Sequence, residues 1–285
     1  MQEFDFLSPK TLQEACQTLE RTGGRLIAGG TDVIPQMLNS RFQAETLVDL
    51  SYVEGLNTIR VEDGVVAIGS LATYAEMMAS PQLQVEAPAL VQAAATVGCV
   101  QTRHRGTLGG NIGNASPAGD LLPPLLVLEA EVTLASSGGE RKLPLADLLC
   151  GPGHTAIRPN EMIEQIMFKR LPSSARTIFL KLGNRQGMAV SIASVALLLE
   201  IEKDGCIADA RIALGAVSPT AIRCPQAEAV LKGRSYEDGL AEAAAEAAAL
   251  ACSPISDIRG SAAYRRHAVK VLVRRGLNRL ADGQA

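Results

Sequence analysis

The chain has 285 residues, of which 47% are apolar and 20% are charged, so it is long enough for about two globular domains. Its 27 Lys and Arg against 30 Asp and Glu give a formal net charge of −3. This balance argues against nucleic acid as a partner, because phosphate binding needs a strongly basic surface. Aromatic residues make up 3% and Trp is absent, which argues against a surface that stacks bases.

The six cysteines are too widely spaced to form a C-x-x-C pair, which disfavours a metal site or an iron–sulfur cluster within this chain. The sequence contains no run of about 18 apolar residues, so we expect no membrane span. Its first residues lack the basic and apolar stretches of a secretory signal. These features predict a cytoplasmic protein with reduced thiols.

The first fifty residues alternate between helical and strand patterns. Ser8 and Pro9 are typical of a helix start, and the pair Gly23 and Gly24 is typical of a helix end. The predicted elements that follow are a strand at 25–28, a helix at 33–38 and a strand at 46–50. We expect these elements to form a β–α–β unit.

The middle of the chain mixes short strands and helices. The predicted elements are strands at 58–61, 65–68, 131–134 and 162–171, and helices at 74–79 and 90–97. Residues 98–124 are dense in Gly, Asn, Thr and Pro and lack helical periodicity, so we predict a long ordered loop there. A loop of that length inside a compact domain is usually functional.

The last part of the chain is predicted to begin after a linker at 173–176. The predicted elements are a hairpin formed by 192–201 and 206–216, and helices at 237–251 and 262–280. The last helix carries many basic residues, which we interpret as a solvated face. They are Arg265, Arg266, Lys270, Arg274, Arg275 and Arg279.

Two glycine-rich segments, 28–32 and 106–114, are the most informative features. Adjacent glycines lack Cβ atoms, so main-chain N–H groups can approach a bulky anion, and two such segments could hold a diphosphate from two sides. A single Gly-Gly pair is more often only a turn. Neither segment matches the G-x-G-x-x-G pattern or carries a Walker lysine, so the residues alone predict an anion site without naming the nucleotide.

Three motifs carry a family resemblance: LIAGGTDV at 26–33, TLGGNI at 107–112 and ASPAGD at 115–120. They closely resemble the FAD-binding medium subunit of the molybdenum hydroxylases, as found in xanthine dehydrogenase, carbon monoxide dehydrogenase and 4-hydroxybenzoyl-CoA reductase complexes. The resemblance implies an α+β fold. Residues 1–172 would form a two-subdomain FAD-binding domain of the vanillyl-alcohol-oxidase type, with subdomains 1–55 and 56–172. Residues 177–285 would form a C-terminal α+β domain with a small antiparallel sheet and helices.

The resemblance also implies which residues bind FAD, and that FAD is held non-covalently. The first segment would wrap the diphosphate and the second would hold its other side. Asp120 would lie near the polar groups of the cofactor, the backbone of Ile163 would touch the flavin, and Lys181 would act in catalysis beside the isoalloxazine ring. Taken alone, Lys181 could also be a surface lysine. The implied cofactor-binding residues are Leu26, Ile27, Ala28, Gly29, Gly30, Thr31, Asp32, Val33, Gly106, Thr107, Leu108, Gly109, Gly110, Asn111, Asn114, Asp120, Ile163 and Lys181.

The resemblance further implies an oxidoreductase subunit like that of xanthine dehydrogenase. Such a subunit would take electrons from a [2Fe–2S] partner subunit and pass them to NAD or another acceptor. Molybdopterin would lie on a separate large subunit, so we expect no metal in this chain, and the expected assembly is a heterotrimer. The alternative is a non-catalytic flavin- or nucleotide-binding accessory protein for such a complex. The sequence does not name the substrate.

Overall fold

The computed structural model describes residues 3–237 and 239–283. In chain order the strands are β1 (Asp5–Leu7), β2 (Arg25–Ile27), β3 (Thr46–Asp49), β4 (Ile59–Glu62), β5 (Val65–Gly69), β6 (Glu131–Ser136), β7 (Gly139–Pro144), β8 (Leu149–Gly151), β9 (His154–Thr155), β10 (Met162–Lys169), β11 (Ala175–Gly183), β12 (Ser191–Ile201), β13 (Ile207–Gly215) and β14 (Ile222–Arg223). The helices are α1 (Leu12–Thr22), α2 (Val33–Leu38), α3 (Tyr74–Ala79), α4 (Pro81–Glu86), α5 (Pro88–Thr96), α6 (Val100–Arg105), α7 (Leu108–Asn114), α8 (Leu122–Val127), α9 (Leu145–Leu148), α10 (Pro225–Leu231), α11 (Leu240–Ala251) and α12 (Ala262–Ala281). Asp238 of the predicted helix 237–251 and residues 1, 2, 284 and 285 of the predicted domains lie outside the described residues.

The predicted β–α–β unit is confirmed as a parallel sheet in the order β1-β3-β2, and β1 was not predicted. The predicted start of α1 at Ser8 is wrong, because Thr11 caps the helix. The Thr11 hydroxyl accepts a hydrogen bond from the Glu14 N–H at 3.1 Å. Gly23 ends α1 as expected, with a left-handed φ of 59°.

The second sheet has five antiparallel strands in the order β4-β5-β10-β6-β7. The predicted hairpin of β4 and β5 turns at Asp63 and Gly64, both of which have positive φ. The predicted strand at 162–171 is β10, which lies in the centre of this sheet between β5 and β6.

The predicted long loop at 98–124 is wrong, although the segment is ordered as expected. It contains α6, α7 and the start of α8. Helix α7 forms in spite of its glycines, each of which costs about 1 kcal/mol relative to Ala. The Thr107 hydroxyl caps α7 by accepting from the Gly110 N–H at 3.1 Å. Gly109 lies so close to Ser70 that a Cβ would come within 2.7 Å of the Ser70 Cβ. Tight packing therefore overrides the low helical propensity.

The third sheet, β11-β12-β13-β14, is antiparallel and confirms the predicted hairpin as β12 and β13. Helices α5 and α8 cover one face, while α10 and α12 cover the other and α11 packs on both of these helices. Alternate residues therefore enter two different cores: Phe179 and Ala196 belong to one, and Ile178 and Val195 to the other. Since both faces are covered, residues 191–199 of β12 are an uninterrupted run of buried residues.

One residue of the predicted solvated face, Arg265, is instead buried, with only 4% of its side chain exposed. Its Nη1 donates to the backbone oxygens of Ile192 and Ala216, both at 2.8 Å. Its Nη2 donates to Asp257 Oδ1 at 2.6 Å. Arg275 is exposed as predicted. Arg265 therefore joins α12 to the end of β13 and to the segment that precedes α12.

We expect Arg265→Lys to lower the free energy of unfolding by about 1–3 kcal/mol, because a lysine cannot reach two carbonyls and a carboxylate in the geometry of a guanidinium fork. Urea unfolding of the full chain measures this loss. Arg275→Lys is the matched control on the exposed side of the same helix, and its stability should equal that of the wild type. Equal stability of both variants would contradict the structural role of Arg265.

Candidate functional site

A cleft of about 310 Å³ lies where the first two sheets meet, and this volume falls in the range of small-molecule sites. Both glycine segments line it, and the segment from Thr155 to Ile163 forms its other rim. Most of the predicted cofactor-binding residues line this cleft. They are Leu26, Ile27, Ala28, Gly29, Gly30, Thr31, Asp32, Val33, Gly106, Thr107, Gly109, Gly110, Asn114 and Ile163.

The first glycine segment connects β2 to α2 and supplies hydrogen-bond donors. In residues 3–237 and 239–283, no acceptor pairs with the main-chain N–H groups of the four consecutive residues 29–32. Gly30 has a φ of +72°, which other residues rarely adopt. Four neighbouring unpaired amides in a cleft form a site for the oxygens of an anion.

Gly29 is the point at which the two glycine segments touch. A Cβ at this position would lie 1.6 Å from the backbone oxygen of Arg105, the last residue of α6. Because that oxygen belongs to the main chain, it cannot rotate away. The direct backbone packing of the two segments therefore requires glycine at position 29.

The second glycine segment contributes differently from the first. Its three glycine amides at 106, 109 and 110 are already paired: Gly106 N–H donates to Thr102 O, Gly109 N–H to Ser70 O and Gly110 N–H to Thr107 Oγ1. Within the described residues, no acceptor pairs with the Thr107 N–H. The interpretation of both segments as amide donors is therefore supported for residues 29–32, but not for the glycines of the second segment. The glycines of the second segment form a part of the cleft wall that has no side chains. Contact of Gly106, Thr107, Gly109 and Gly110 with a cofactor stays a prediction.

The two predicted asparagines lie at the end of the cleft nearest α7. Asn114 lines the cleft, and its Oδ1 accepts from Gln36 Nε2 at 3.5 Å. Asn111 does not line it, but its Nδ2 donates to the hydroxyl of Tyr74, which does. Within the described part of the chain, the buried Oδ1 of Asn111 has no hydrogen-bond partner. Because Asn111 does not line the cleft, its contact with a cofactor stays a prediction.

Asp120 and Lys181 form a buried ion pair outside the cleft lining, and Leu108 is also buried behind it. Lys181 Nζ lies 2.6 Å from Asp120 Oδ2 and 3.2 Å from the Thr96 backbone oxygen. With 10% of its side chain exposed, Lys181 is not the surface lysine of the alternative interpretation. Burial raises the pKa of the Asp120 carboxyl, and the Lys181 ammonium opposes that rise. Contact of this pair with the isoalloxazine ring stays a prediction.

The sequence did not point to Glu161, a buried carboxylate on the rim opposite the glycines. Arg141 donates to both of its oxygens, Nε to Oε1 at 2.6 Å and Nη2 to Oε2 at 2.8 Å. The Arg158 N–H also donates to Oε2 at 2.8 Å. These donors, Arg141 foremost, hold the pKa of Glu161 below its usual value. Glu161 thereby fixes the turn that leads into Ile163.

Asp32 places a carboxyl in the same cleft as the unpaired amides. Burial raises the pKa of Asp32 above its usual value. A bound anion would raise it further, which favours the neutral, protonated form beside a ligand that carries negative charge.

Family profiles cover almost the entire chain. Residues 2–171 match the FAD binding domain in molybdopterin dehydrogenase. The chain belongs to this family. Residues 178–280 match the CO dehydrogenase flavoprotein C-terminal domain. The predicted family, the α+β fold class, the oxidoreductase class and FAD as the cofactor are thereby confirmed.

Individual relatives agree with the family over the full length. The chain is 34% identical to the 6-hydroxypseudooxynicotine dehydrogenase complex subunit alpha of Paenarthrobacter nicotinovorans, covering 96% of this chain and 93% of that protein. It is 31% identical to the carbon monoxide dehydrogenase medium chain of Hydrogenophaga pseudoflava, covering 96% of each. The fold matches reconstituted CO dehydrogenase from Oligotropha carboxidovorans with a TM-score of 0.95 and 29% identity, covering 100% of this chain and 99% of that chain.

The residues present fit FAD on geometric grounds. The cleft offers unpaired amides at 29–32 for phosphate oxygens, and Gly29, Gly106 and Gly109 let the backbones that line it pack more closely than any residue with a Cβ would allow. In residues 3–237 and 239–283, no group of three or more His, Cys, Asp or Glu side chains is placed to bind a metal. None of the helices of this described part has the length and hydropathy that a membrane crossing requires.

Proposed function

We propose that this FAD-binding subunit carries electrons from a [2Fe–2S] partner subunit to NAD, within a complex whose molybdopterin lies on a separate large subunit. The observation that carries the proposal is the run of four unpaired amides at residues 29–32 in a cleft of the FAD-binding family. The relatives are named as subunits or medium chains of dehydrogenases, which supports a partner-dependent role.

The residues of this chain bind and orient the cofactor. When bound, the isoalloxazine ring supplies both one-electron and two-electron redox chemistry. We propose that the amides of 29–32 hold the diphosphate, and that Asn111 and Asn114 contact the polar groups next to it. Asp120 holds Lys181 in a buried ion pair, and a positive charge at this position would favour the reduced flavin.

We further propose that the chain divides into domains 1–172 and 177–285, since the first family profile ends at residue 171 and the second begins at residue 178. All six cysteines are free thiols, which supports a reducing compartment such as the cytoplasm. The assembly of this chain with one small and one large subunit is likewise a proposal.

The test uses the complex purified with its co-eluting subunits. We expect about one FAD per copy of this chain, released by acid without covalent attachment, and we expect NADH to reduce it under anaerobic conditions. Mass spectrometry of the co-eluting chains identifies the partners. FAD that is bound but reduced neither by NADH nor by a substrate of the large subunit would favour the accessory-protein alternative. FAD that is reduced by substrate but not by NADH would overturn the NAD assignment alone.

A further inference from the structure

Two buried residues with hydroxyls that the sequence did not suggest, Ser70 and Tyr74, line the cleft from the segment that runs from the end of β5 to the start of α3. Ser70 is 3% exposed, and within the described residues its Oγ has no hydrogen-bond partner. Its backbone is fixed, because Ser70 N–H donates to Glu164 O at 2.9 Å and Ser70 O accepts from Gly109 N–H at 2.8 Å. The Ser70 hydroxyl is therefore held at the wall of the cleft without a partner.

Tyr74 is held just as firmly at the other end of this segment. Thr73 and Glu76 form a capping box that starts α3, and the Tyr74 N–H donates to Gly106 O at 3.1 Å. A Cβ on Gly106 would lie 2.6 Å from Cε2 of Tyr74, so the ring packs directly on the glycine backbone. The Tyr74 oxygen accepts from Asn111 Nδ2 at 3.2 Å.

The hydrogen bond from Asn111 uses a lone pair of the Tyr74 oxygen and leaves its proton available. In residues 3–237 and 239–283, no acceptor takes that proton. Burial raises the pKa of Tyr74 to about 12, so the phenol stays protonated at neutral pH. Tyr74 lines the same cleft as Asp32 of the first glycine segment. Ser70 and Tyr74 thus offer two donors where the two glycine segments meet.

Resting on the FAD site proposed above, we propose that the hydroxyls of Ser70 and Tyr74 donate hydrogen bonds to the diphosphate oxygens of the cofactor. The unpaired amides of 29–32 belong to the first glycine segment, and the two hydroxyls lie in the cleft wall behind the second segment. Because the amides of Gly106, Gly109 and Gly110 are already paired, these hydroxyls supply further donors on that side.

The test compares Ser70→Ala and Tyr74→Phe with the wild-type full chain stripped of flavin. We expect each variant to bind FAD and ADP about tenfold or more weakly, as for hydrogen bonds to charged groups, with no change for riboflavin, which lacks the diphosphate. Isothermal titration calorimetry measures the three Kd values. Ser70→Ala should also raise the Tm of the flavin-free chain, because it removes an unpaired buried hydroxyl. A purely structural role would not make stability and binding change in opposite directions.

Thr133→Val is the matched control, because it removes another buried hydroxyl without a partner in the described residues, outside the cleft. Tyr52→Phe is the control for the tyrosine, since Tyr52 is 65% exposed. Neither should change any of the three Kd values. Unchanged FAD and ADP binding in Ser70→Ala and Tyr74→Phe would overturn the proposal. An equal loss of riboflavin affinity would also overturn it, because it would show that the hydroxyls contact the flavin part of the cofactor and not the diphosphate. Failure of the wild type to bind FAD would instead overturn the proposed function.

Discussion

Gly29→Ala is expected to remove FAD from the purified chain and to lower the free energy of unfolding by about 3 kcal/mol, the upper part of the range for overpacking. The added methyl would lie 1.6 Å from the Arg105 backbone oxygen. Since neither backbone can rotate, the two glycine segments must separate. That separation moves the amides of 29–32 away from the wall formed by the second segment. The cofactor can then no longer contact both segments at once.

The measurement is the flavin absorbance per chain after gel filtration, together with urea unfolding of the flavin-free chain. Gly138→Ala is the matched control, because its Cβ would have no neighbour closer than 3.8 Å in an exposed hairpin turn. This control should retain FAD and unfold like the wild type. A yellow Gly29→Ala protein with unchanged stability would contradict the close approach of the two segments.

Local patterns predicted much of the secondary structure. Alternating and periodic apolar residues placed both hairpins, the β–α–β unit and the helix Tyr74–Ala79. These elements depend on neighbours in the sequence, which is why patterns suffice for them. Helix α7 was not predicted, because its glycines disfavour a helix locally and only its packing on Ser70 and its cap at Thr107 compensate.

The sequence predicted where the site lies better than it predicted which groups remain free to bind the cofactor. The motifs located both glycine segments, but which amides stay unpaired depends on Thr102 and Ser70, which belong to other elements. The Ser70 and Tyr74 hydroxyls carry no motif. The burial of Arg265 in a basic helix depends on the oxygens of Ile192 and Ala216, which are 73 and 49 residues away in the chain. Such long-range partners leave no periodic signal.

Lys181→Met is expected to lower the free energy of unfolding by about 3–5 kcal/mol at neutral pH, because it leaves the Asp120 carboxylate buried without a counter-ion. Asp120 and Lys181 expose only 7% and 10% of their side chains. The Ser191 hydroxyl, 2.5 Å from Asp120 Oδ1, is then the main remaining donor. Water cannot replace the lost ammonium at so little exposed surface.

The pH dependence of this variant has a defined sign. Burial raises the pKa of Asp120, and Lys181 is the strongest opposing influence, so the substitution raises that pKa further above its unfolded value of about 3.9. A raised carboxyl pKa contributes stability that is complete below the unfolded pKa and is lost as the pH rises through the folded pKa. The deficit of Lys181→Met relative to the wild type should therefore shrink as the pH is lowered from about 8 to about 5.

Urea unfolding across that range measures the deficit, and two further variants determine its cause. Lys181→Met combined with Asp120→Asn removes the buried charge, so it should recover most of the lost stability and abolish the pH dependence of the deficit. Lys203→Met, in the exposed turn of the β12–β13 hairpin, should unfold like the wild type at every pH. If Lys181→Met showed the same deficit at all pH values, the loss would come from packing of the lysine stem, and Asp120 would not depend on Lys181 for its charge.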